Sequence, residues 1–444
     1  MALSYDDLLL PFHEAMKPKE QWRIGAEAEK LGVFEASGNA LPYEGAPGVL
    51  TVLTALQERY GWKPVVEREG GPLIALERDH ASVTLEPGGQ LELSGAPLDD
   101  VHAIAAETAA HHRELEEICR PLGIVFLGLG FHPFARQEDL PWVPKMRYGV
   151  MKTYLPTRGT RALDMMRRTA TVQANFDYGS EEDALRKLRV SLRISPLVSA
   201  MFANSPFREG RVTGDRSERI RVWLAVDPDR QGLLPRMWSA SSRIRDYVEW
   251  ALDAPMFLIK RGGEVVHNTG QTFRAFWRDG YSGHTADIHD WETHLNTLFP
   301  EVRLKRTLEV RGGDSLPARL SSALPALWTG VLYDSKAFDA IESWSSSFQF
   351  EEIEALRPQV AERGLRATFR GRPLAEAAEH LLGTSEEGLR RRSRKNAQGD
   401  DETVHLTELA ALVRRGDCPA DALLRDLPQG AAEMRREIIR RGLV

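Results

Sequence analysis

Cysteine is almost absent from this chain. Cys119 and Cys418 are the only two, too few for a disulfide framework and without metal-ligand spacing, so both read as structural thiols. No run approaches the roughly eighteen consecutive apolar residues of a membrane-spanning helix, and the short stretch Leu8 to Phe12 is broken by Pro11 and preceded by acids. Basic charge is not in excess either. A net charge of -6 and a pI near 6.1 argue against a dedicated nucleic-acid binder. Neither a GxxxxGK[ST] loop nor a dinucleotide-binding glycine fingerprint occurs, so any nucleotide must be held in another way. With 42% apolar and 27% charged residues, the 444-residue chain reads as a globular protein with a substantial core, expected to be cytoplasmic and unprocessed.

What the chain does contain is a set of acids placed inside strand-like runs. In WRIGAEAEKLGVF, Trp22 to Phe34, side chains of a strand alternate faces, so Glu27 and Glu29 project together. Two adjacent carboxylates repel unless a cation lies between them, and a divalent metal with hard oxygen ligands would serve. An exposed strand face with Lys30 as counter-charge is the competing reading. Short strand-like pieces follow at Val65 to Glu67, Leu73 to Arg78 and Ser82 to Leu85, the pattern of an antiparallel meander. The meander leads into VTLEPGGQLELSGAP, Val83 to Pro97. There Glu86 ends one strand, Pro87-Gly88-Gly89 bends the backbone, and Glu92 sits opposite the apolar face of Leu91 and Leu93. Such a bend either returns two carboxylates to one place or forms an ordinary hairpin with a solvated face.

Three further stretches carry polar chemistry. Trp142 to Pro156 mixes Lys145, Arg147 and Lys152 with Tyr148 and Tyr154, suited to gripping a small anion or to a surface loop. Thr169 to Tyr178 alternates cleanly, with Thr171, Gln173, Asn175 and Asp177 on one face and Val172, Ala174 and Phe176 on the other. In RTLEVR, Arg306 to Arg311, Glu309 and Arg311 share a face before Gly312-Gly313. Carboxylate for metal and guanidinium for phosphate suits phosphoryl transfer; a cross-strand ion pair is the plain alternative. Histidines 102, 111, 112, 289 and 294 show no ligand spacing.

Helices are expected over Ser4 to Met16 with Ser4 as N-cap, Gly48 to Tyr60, Leu98 to Leu122, Arg161 to Arg168 and Glu181 to about Phe202, with an apolar strand at Ile124 to Phe131. The expected organisation is a single catalytic domain over 1–444, with sheet and acidic motifs in 20–315 and a mainly helical part in 316–444. The charged run LRRRSRKNAQGDDE, 389–402, reads as a solvated loop, with nucleotide contact as the lesser reading.

The segments KPKEQWRIGAEAEKLGVF, LEPGGQLELSGAPL, PKMRYGVMKTYLP, ALDMMRRTATVQANFDY, MFANSPFREG and DAPMFLIKR, in this order, resemble those of glutamate-cysteine ligases of the plant and proteobacterial type. The resemblance covers nearly the whole chain, with Ala28 standing where the family pattern GTEHEK has histidine. It implies an α+β fold related to glutamine synthetase, a curved, largely antiparallel saddle with helices outside. It also implies ATP, L-glutamate and L-cysteine as substrates, γ-glutamyl phosphate as intermediate, and Mg2+ or Mn2+ as cofactor. By motif, Glu27, Glu29, Glu86, Glu92 and Glu309 would hold the metal, with Gln173 beside them. Arg311, with Glu309, would serve ATP, and Arg147, Tyr148, Thr171, Asn175 and Arg219 would surround the amino acids. Arg311, Arg147 and Arg219 are the expected catalytic cations. No nucleic-acid or membrane partner is implied, and the protein would be a monomer or homodimer. Two alternatives remain: the same chemistry on another amine or thiol pathway, and a non-catalytic nucleotide- or metal-binding regulator.

Overall fold

The computed structural model describes residues 3–444. Its centre is a nine-stranded sheet. In chain order the strands are β1 Ile24–Phe34, β2 Lys63–Val65, β3 Ala75–Arg78, β4 Ala81–Leu85, β5 Leu91–Ser94, β6 Ile124–Leu127, β7 Thr171–Phe176, β8 Val302–Leu304 and β9 Leu308–Asp314. They lie in the order β8-β9-β7-β1-β5-β4-β3-β2, with β6 paired to β1, and the pairings are antiparallel. The mixed fold with a large antiparallel sheet and the β2 to β5 meander are thus as the sequence implied.

The 11-residue β1 is the spine. Its first half is flanked by β5 and β7, and Leu31 to Phe34 pair with β6. The β4–β5 bend requires its glycines: Gly89 has φ +84°, and a Cβ on Gly88 would lie 2.2 Å from the Arg167 carbonyl oxygen.

Helices cover the apolar faces. α1, Tyr5–His13, starts at Ser4 in a capping box with Asp7. α2, Val49–Tyr60, stops at Gly61 in the left-handed region. α3, Val101–Cys119, begins later than the periodicity suggests because Leu98 is held on Ile24 by two backbone hydrogen bonds, and Asp100 caps it. Then come α4 Met146–Tyr154, α5 Ala162–Arg168, α6 Glu181–Met201 and α7 Glu218–Trp223. Of the two readings of 142–156, the loop fails. α4 turns Arg147 and Tyr148 toward the Glu86 bend, where the Tyr148 hydroxyl donates to the Leu85 carbonyl at 2.8 Å.

The alternation in β7 decides the layering. Val172, Ala174 and Phe176 join the main core, on which α6 and the helix Ala323–Leu332 pack, leaving Thr171, Gln173 and Asn175 for the other face. Beyond residue 315 the chain is mainly helical, ending in Ala431–Gly442. The 389–402 run is more than a solvated loop. Arg391 pairs with Asp334 at 2.8 Å, and Arg392 meets the fully buried Glu402 at 3.0 Å, whose other oxygen accepts from the first backbone amide of α3. Arg394 and Lys395 are exposed.

Cys119 and Cys418 are both free and buried, in separate apolar clusters. Burial pushes the Cys119 thiol up to about 12, and burial together with Asp421 raises Cys418 as well. Oxidation followed by dithiothreitol should therefore leave activity and melting temperature unchanged. A several-fold activity change that disappears in Cys119→Ser would refute this.

Candidate functional site

Cross-strand register brings the acids together. Glu29 faces Glu92 directly across β1–β5, and Glu27 faces Gln173 across β1–β7. Residues opposite one another share a face, so three strands deliver Glu27, Glu29, Glu92 and Gln173 to one concave surface, and the Pro87 bend adds Glu86. These five residues line an open cavity of about 330 Å³. Lys30 is no counter-charge on that face. It lies on the opposite side of β1, 1% exposed, and donates to the Ala28 carbonyl at 2.8 Å.

Cations enter from the other elements. Arg147 and Tyr148 of α4, Thr171 of β7, Arg219 of α7 and Arg311 of β9 all border the cavity. Arg147 stands 3.9 Å from Glu86 and is half exposed, so its guanidinium is largely uncommitted. Arg311 owes its position to a bulge: Val310 pairs with Ala174 but Gly313 with Val172, so Arg311 and Gly312 together oppose Gln173. The Arg311 guanidinium then donates to Gln173 Oε1 at 2.6 Å and contacts Glu309. Arg219 is held from both ends. Its guanidinium donates to the Arg311 and Gly312 carbonyls at 2.9 and 3.3 Å, and its Nη1 lies 3.9 Å from the buried Asp314.

Two expected residues do not border the cavity. Asn175 spends its amide on Glu27 Oε1 at 2.8 Å. Glu309 is fully buried and enclosed by cations: Arg303, opposite it in the β8–β9 pair, at 2.8 Å, Lys305 at 3.2 Å, and Arg311. Burial opposes its ionisation, but these three cations outweigh burial and hold its carboxyl well below the ordinary range. Removing one partner from a buried pair of this kind costs about 3–5 kcal/mol, so Glu309 first anchors Arg303 and Arg311. Of the two readings of RTLEVR, the cross-strand ion pair is present, made with Arg303. Asp177, on the same face of β7's sequence pattern, binds Lys17 at 2.9 Å and the Arg23 backbone amide at 2.7 Å, away from the cavity.

The sequence reading missed Arg303, Trp223, Phe257, Lys260, Asn296 and Phe299, all of which line the cavity. Arg303 was within reach, because reading VRLKRTLEV as a hairpin places it opposite Glu309. Phe257 and Lys260 lie in the DAPMFLIKR segment, Lys260 on the hairpin of Leu258–Arg261 with Glu264–His267 and Phe257 just before it. Nothing local marks Trp223 or Asn296.

The acids repel one another. Burial, then Glu309 and Glu92, push the Glu27 carboxyl up to about 7, against Lys305 and the Asn175 amide. Burial, Glu86 and Glu92 hold Glu29 well above the usual carboxylate range, and burial and Glu86 raise Glu92. Among the described residues no group of three or more His, Cys, Asp or Glu side chains is arranged, as they stand, to hold a metal ion. The donor set itself, carboxylate oxygens and one amide oxygen with mutual repulsion to relieve, fits a hard divalent cation.

The sign of the pH effect follows. These carboxyls are protonated in the folded chain at pH values where an unfolded one, near 4.5, has ionised. The stability contributed by the Glu27 carboxyl is fully present below about 4.5 and is lost as pH rises through about 7, and the raised Glu29 and Glu92 carboxyls act in the same direction. Glu92→Gln, whose amide oxygen can still accept from Ser94, should therefore raise the melting temperature of the metal-free protein at alkaline pH and flatten its decline as pH rises. A lower melting temperature for the variant at the upper pH would refute this account.

The chain matches the model of glutamate-cysteine ligase family 2 (GCS2) over residues 23–442. It is 41% identical over 425 residues to the chloroplastic glutamate-cysteine ligases of Brassica juncea and Arabidopsis thaliana, covering 95% of this chain and 80% and 79% of theirs. A similar likeness links it to ligase B of Oryza sativa, at 41% identity and 84% of that protein's length. These relatives are chloroplastic, which overturns the expectation of a cytoplasmic enzyme; bulk composition and hydropathy carry no compartment address. In fold the chain is similar to the glutamate-cysteine ligase of Francisella tularensis, solved with AMP, at TM-score 0.54 and 14% identity over 95% of this chain and 88% of that one. The chain belongs to glutamate-cysteine ligase family 2.

Proposed function

We propose that the cavity joins the γ-carboxylate of L-glutamate to the amine of L-cysteine at the expense of ATP, the step that supplies γ-glutamylcysteine for glutathione. The carrying observation is the convergence of Glu27, Glu29, Glu86 and Glu92 with Arg147, Arg219 and Arg311 on one concave sheet face. A carboxylate is a poor electrophile because oxide is a poor leaving group. A γ-carboxylate oxygen first attacks the terminal phosphorus of ATP, and the bond to the bridging oxygen breaks to release ADP. The amine nitrogen then attacks the acyl carbon, the carbon–oxygen bond to phosphate breaks, and the nitrogen gives up a proton.

The residues divide this work. Glu27, Glu29, Glu86 and Glu92, with Gln173, would hold Mg2+ or Mn2+, which when bound would neutralise phosphate charge. Arg311, fixed by Glu309 and Gln173, faces the transferring phosphoryl group as a preorganised donor. Arg147 and Tyr148 on one side and Arg219 and Thr171 on the other orient the amino-acid substrates. Met151, Met165, Met166 and Phe257 supply apolar walls that keep water from the acyl phosphate. Residues 1–444 act as one catalytic unit in this reading, because the helix Ala323–Leu332 packs on β7 beneath the site.

Release of ADP should require both glutamate and cysteine, and excess chelator should abolish it. Glu27→Gln and Glu92→Gln should each lower kcat by roughly 10²-fold or more while the protein stays folded. Normal turnover in both variants, or full turnover in chelator, would sink the shared acidic site. An ADP release indifferent to both amino acids would favour a non-catalytic role.

A further inference from the structure

Of the residues that line the main cavity, Arg147, Lys260 and Asn296 alone are exposed, so they mark its mouth. Two of them have polar company. Arg147 has Glu86 beside it at 3.9 Å, and the Asn296 amide is spent, its nitrogen donating to the Glu292 carbonyl at 3.0 Å and its oxygen accepting from Lys305 at 3.1 Å. Lys260 has none. Among the described residues its ammonium makes no ion pair and no hydrogen bond; only its backbone is used, in the hairpin pairing and by the Arg261 guanidinium at 2.7 Å.

The hairpin decides where this side chain goes. Ile259 is fully buried in the main core, and Val266 opposite it packs on the same core. Strand alternation therefore puts Leu258 and Lys260 together on the other face, and both line the cavity. The hairpin also packs on α4, which carries Arg147, so the two exposed cations stand on neighbouring elements. Lys260 is nevertheless apart from the acidic floor. The cations that act most on Glu27, Glu29 and Glu92 are Lys305, Arg219, Arg311, Lys145 and Arg147.

A free ammonium at the mouth of a cavity for anionic substrates has a carboxylate or a phosphate to meet. The phosphates belong on the floor, beside Arg311 and the acids that would hold the metal, and the γ-carboxylate of the donor must lie there too. The acceptor is needed only once the acyl phosphate has formed, and with the floor then filled, the mouth is the space left to it. Its nitrogen reaches inward for the acyl carbon, and its own carboxylate trails two bonds behind. We propose that Lys260 pairs with this α-carboxylate and so selects an amino acid over a simple amine as acceptor. The inference rests on the ligase reading of the main cavity. A lysine suits the task, because a compact charge on a flexible stem can follow the carboxylate while the nitrogen is brought into line with the acyl carbon.

The test compares cysteine with cysteamine, which is cysteine without its carboxylate, as acceptors for the full-length enzyme with ATP and glutamate. Lys260→Met keeps most of the stem and removes the charge; Lys260→Arg keeps the charge. In Lys260→Met the ratio of kcat/KM for cysteine over that for cysteamine should fall about 5–12-fold, between the worth of an exposed ion pair and that of a charged hydrogen bond. The fall should come mainly through KM for cysteine and be largely restored in Lys260→Arg, with KM for ATP and for glutamate in place. If the wild type turns cysteamine over too slowly to measure, the rise of KM for cysteine in Lys260→Met and its recovery in Lys260→Arg carry the decision. An unchanged ratio, or in that case an unchanged KM for cysteine, in folded, active Lys260→Met overturns the proposal. So does a rise confined to KM for ATP or for glutamate, which would give Lys260 to the phosphates or to the donor. Failure of the wild type to ligate any amine would instead sink the ligase reading beneath it.

Discussion

Repulsion among carboxylates on one half-buried sheet face is the constraint from which the rest of the site follows. Glu27, Glu29 and Glu92 all have raised pKa values because burial and their neighbours disfavour charge. A fold that places acids this way gives up stability for function, and it must supply cations without letting them collapse onto the acids. The β8–β9 end of the sheet does this. Glu309 gathers Arg303, Lys305 and Arg311 into one buried cluster. Arg311 is thereby held at the cavity edge, bonded to Gln173 and Glu309 rather than paired with the four cavity acids.

A second buried acid ties the opposite wall. Asp314, at the end of β9, accepts from the Asn204 backbone amide, the Ser205 hydroxyl and the Ser217 hydroxyl at 2.7, 2.6 and 2.9 Å. Ser217 is also the N-cap of α7. One carboxylate therefore joins the strand that carries Arg311, the chain leaving α6, and the helix that carries Arg219 and Trp223. Gly130 allows this close meeting, since a Cβ there would lie 2.3 Å from the Asp314 carboxyl carbon. The two arginines that border the main cavity here are set by the same few buried bonds.

Much of this was legible in the chain, because strand alternation and turn chemistry are local. The period of two in Gly25 to Lys30 and Thr169 to Tyr178 assigned Glu27, Glu29, Thr171 and Gln173 to their faces, and Pro87-Gly88-Gly89 marked the bend between Glu86 and Glu92. Helix ends at Ser4 and Gly61 were equally readable from capping. The same alternation overreached for Asn175 and Asp177. Both lie on the expected face in the sequence, but Asn175 is consumed by Glu27 and Asp177 by Lys17 and Arg23. A period states which way a side chain points, and says nothing of what waits there.

The sequence by itself determined the element types, the faces of the acidic strands, the poverty of redox chemistry and, through its ordered motifs, the family. Only the tertiary structure decided register, the bulge at Arg311 and Gly312, and the neighbours of each charge. Register depends on pairing between strands far apart in the chain, and Glu27 meets Gln173 across 146 residues by numbering. The bulge arises from the offset between two pairings of β9 with β7. Trp223 meets Phe299 edge to face, and Gln231 is set beside the same residue by a short parallel backbone pairing. Such contacts are set by the balance of burial and desolvation over the whole molecule, which no local window of the sequence contains.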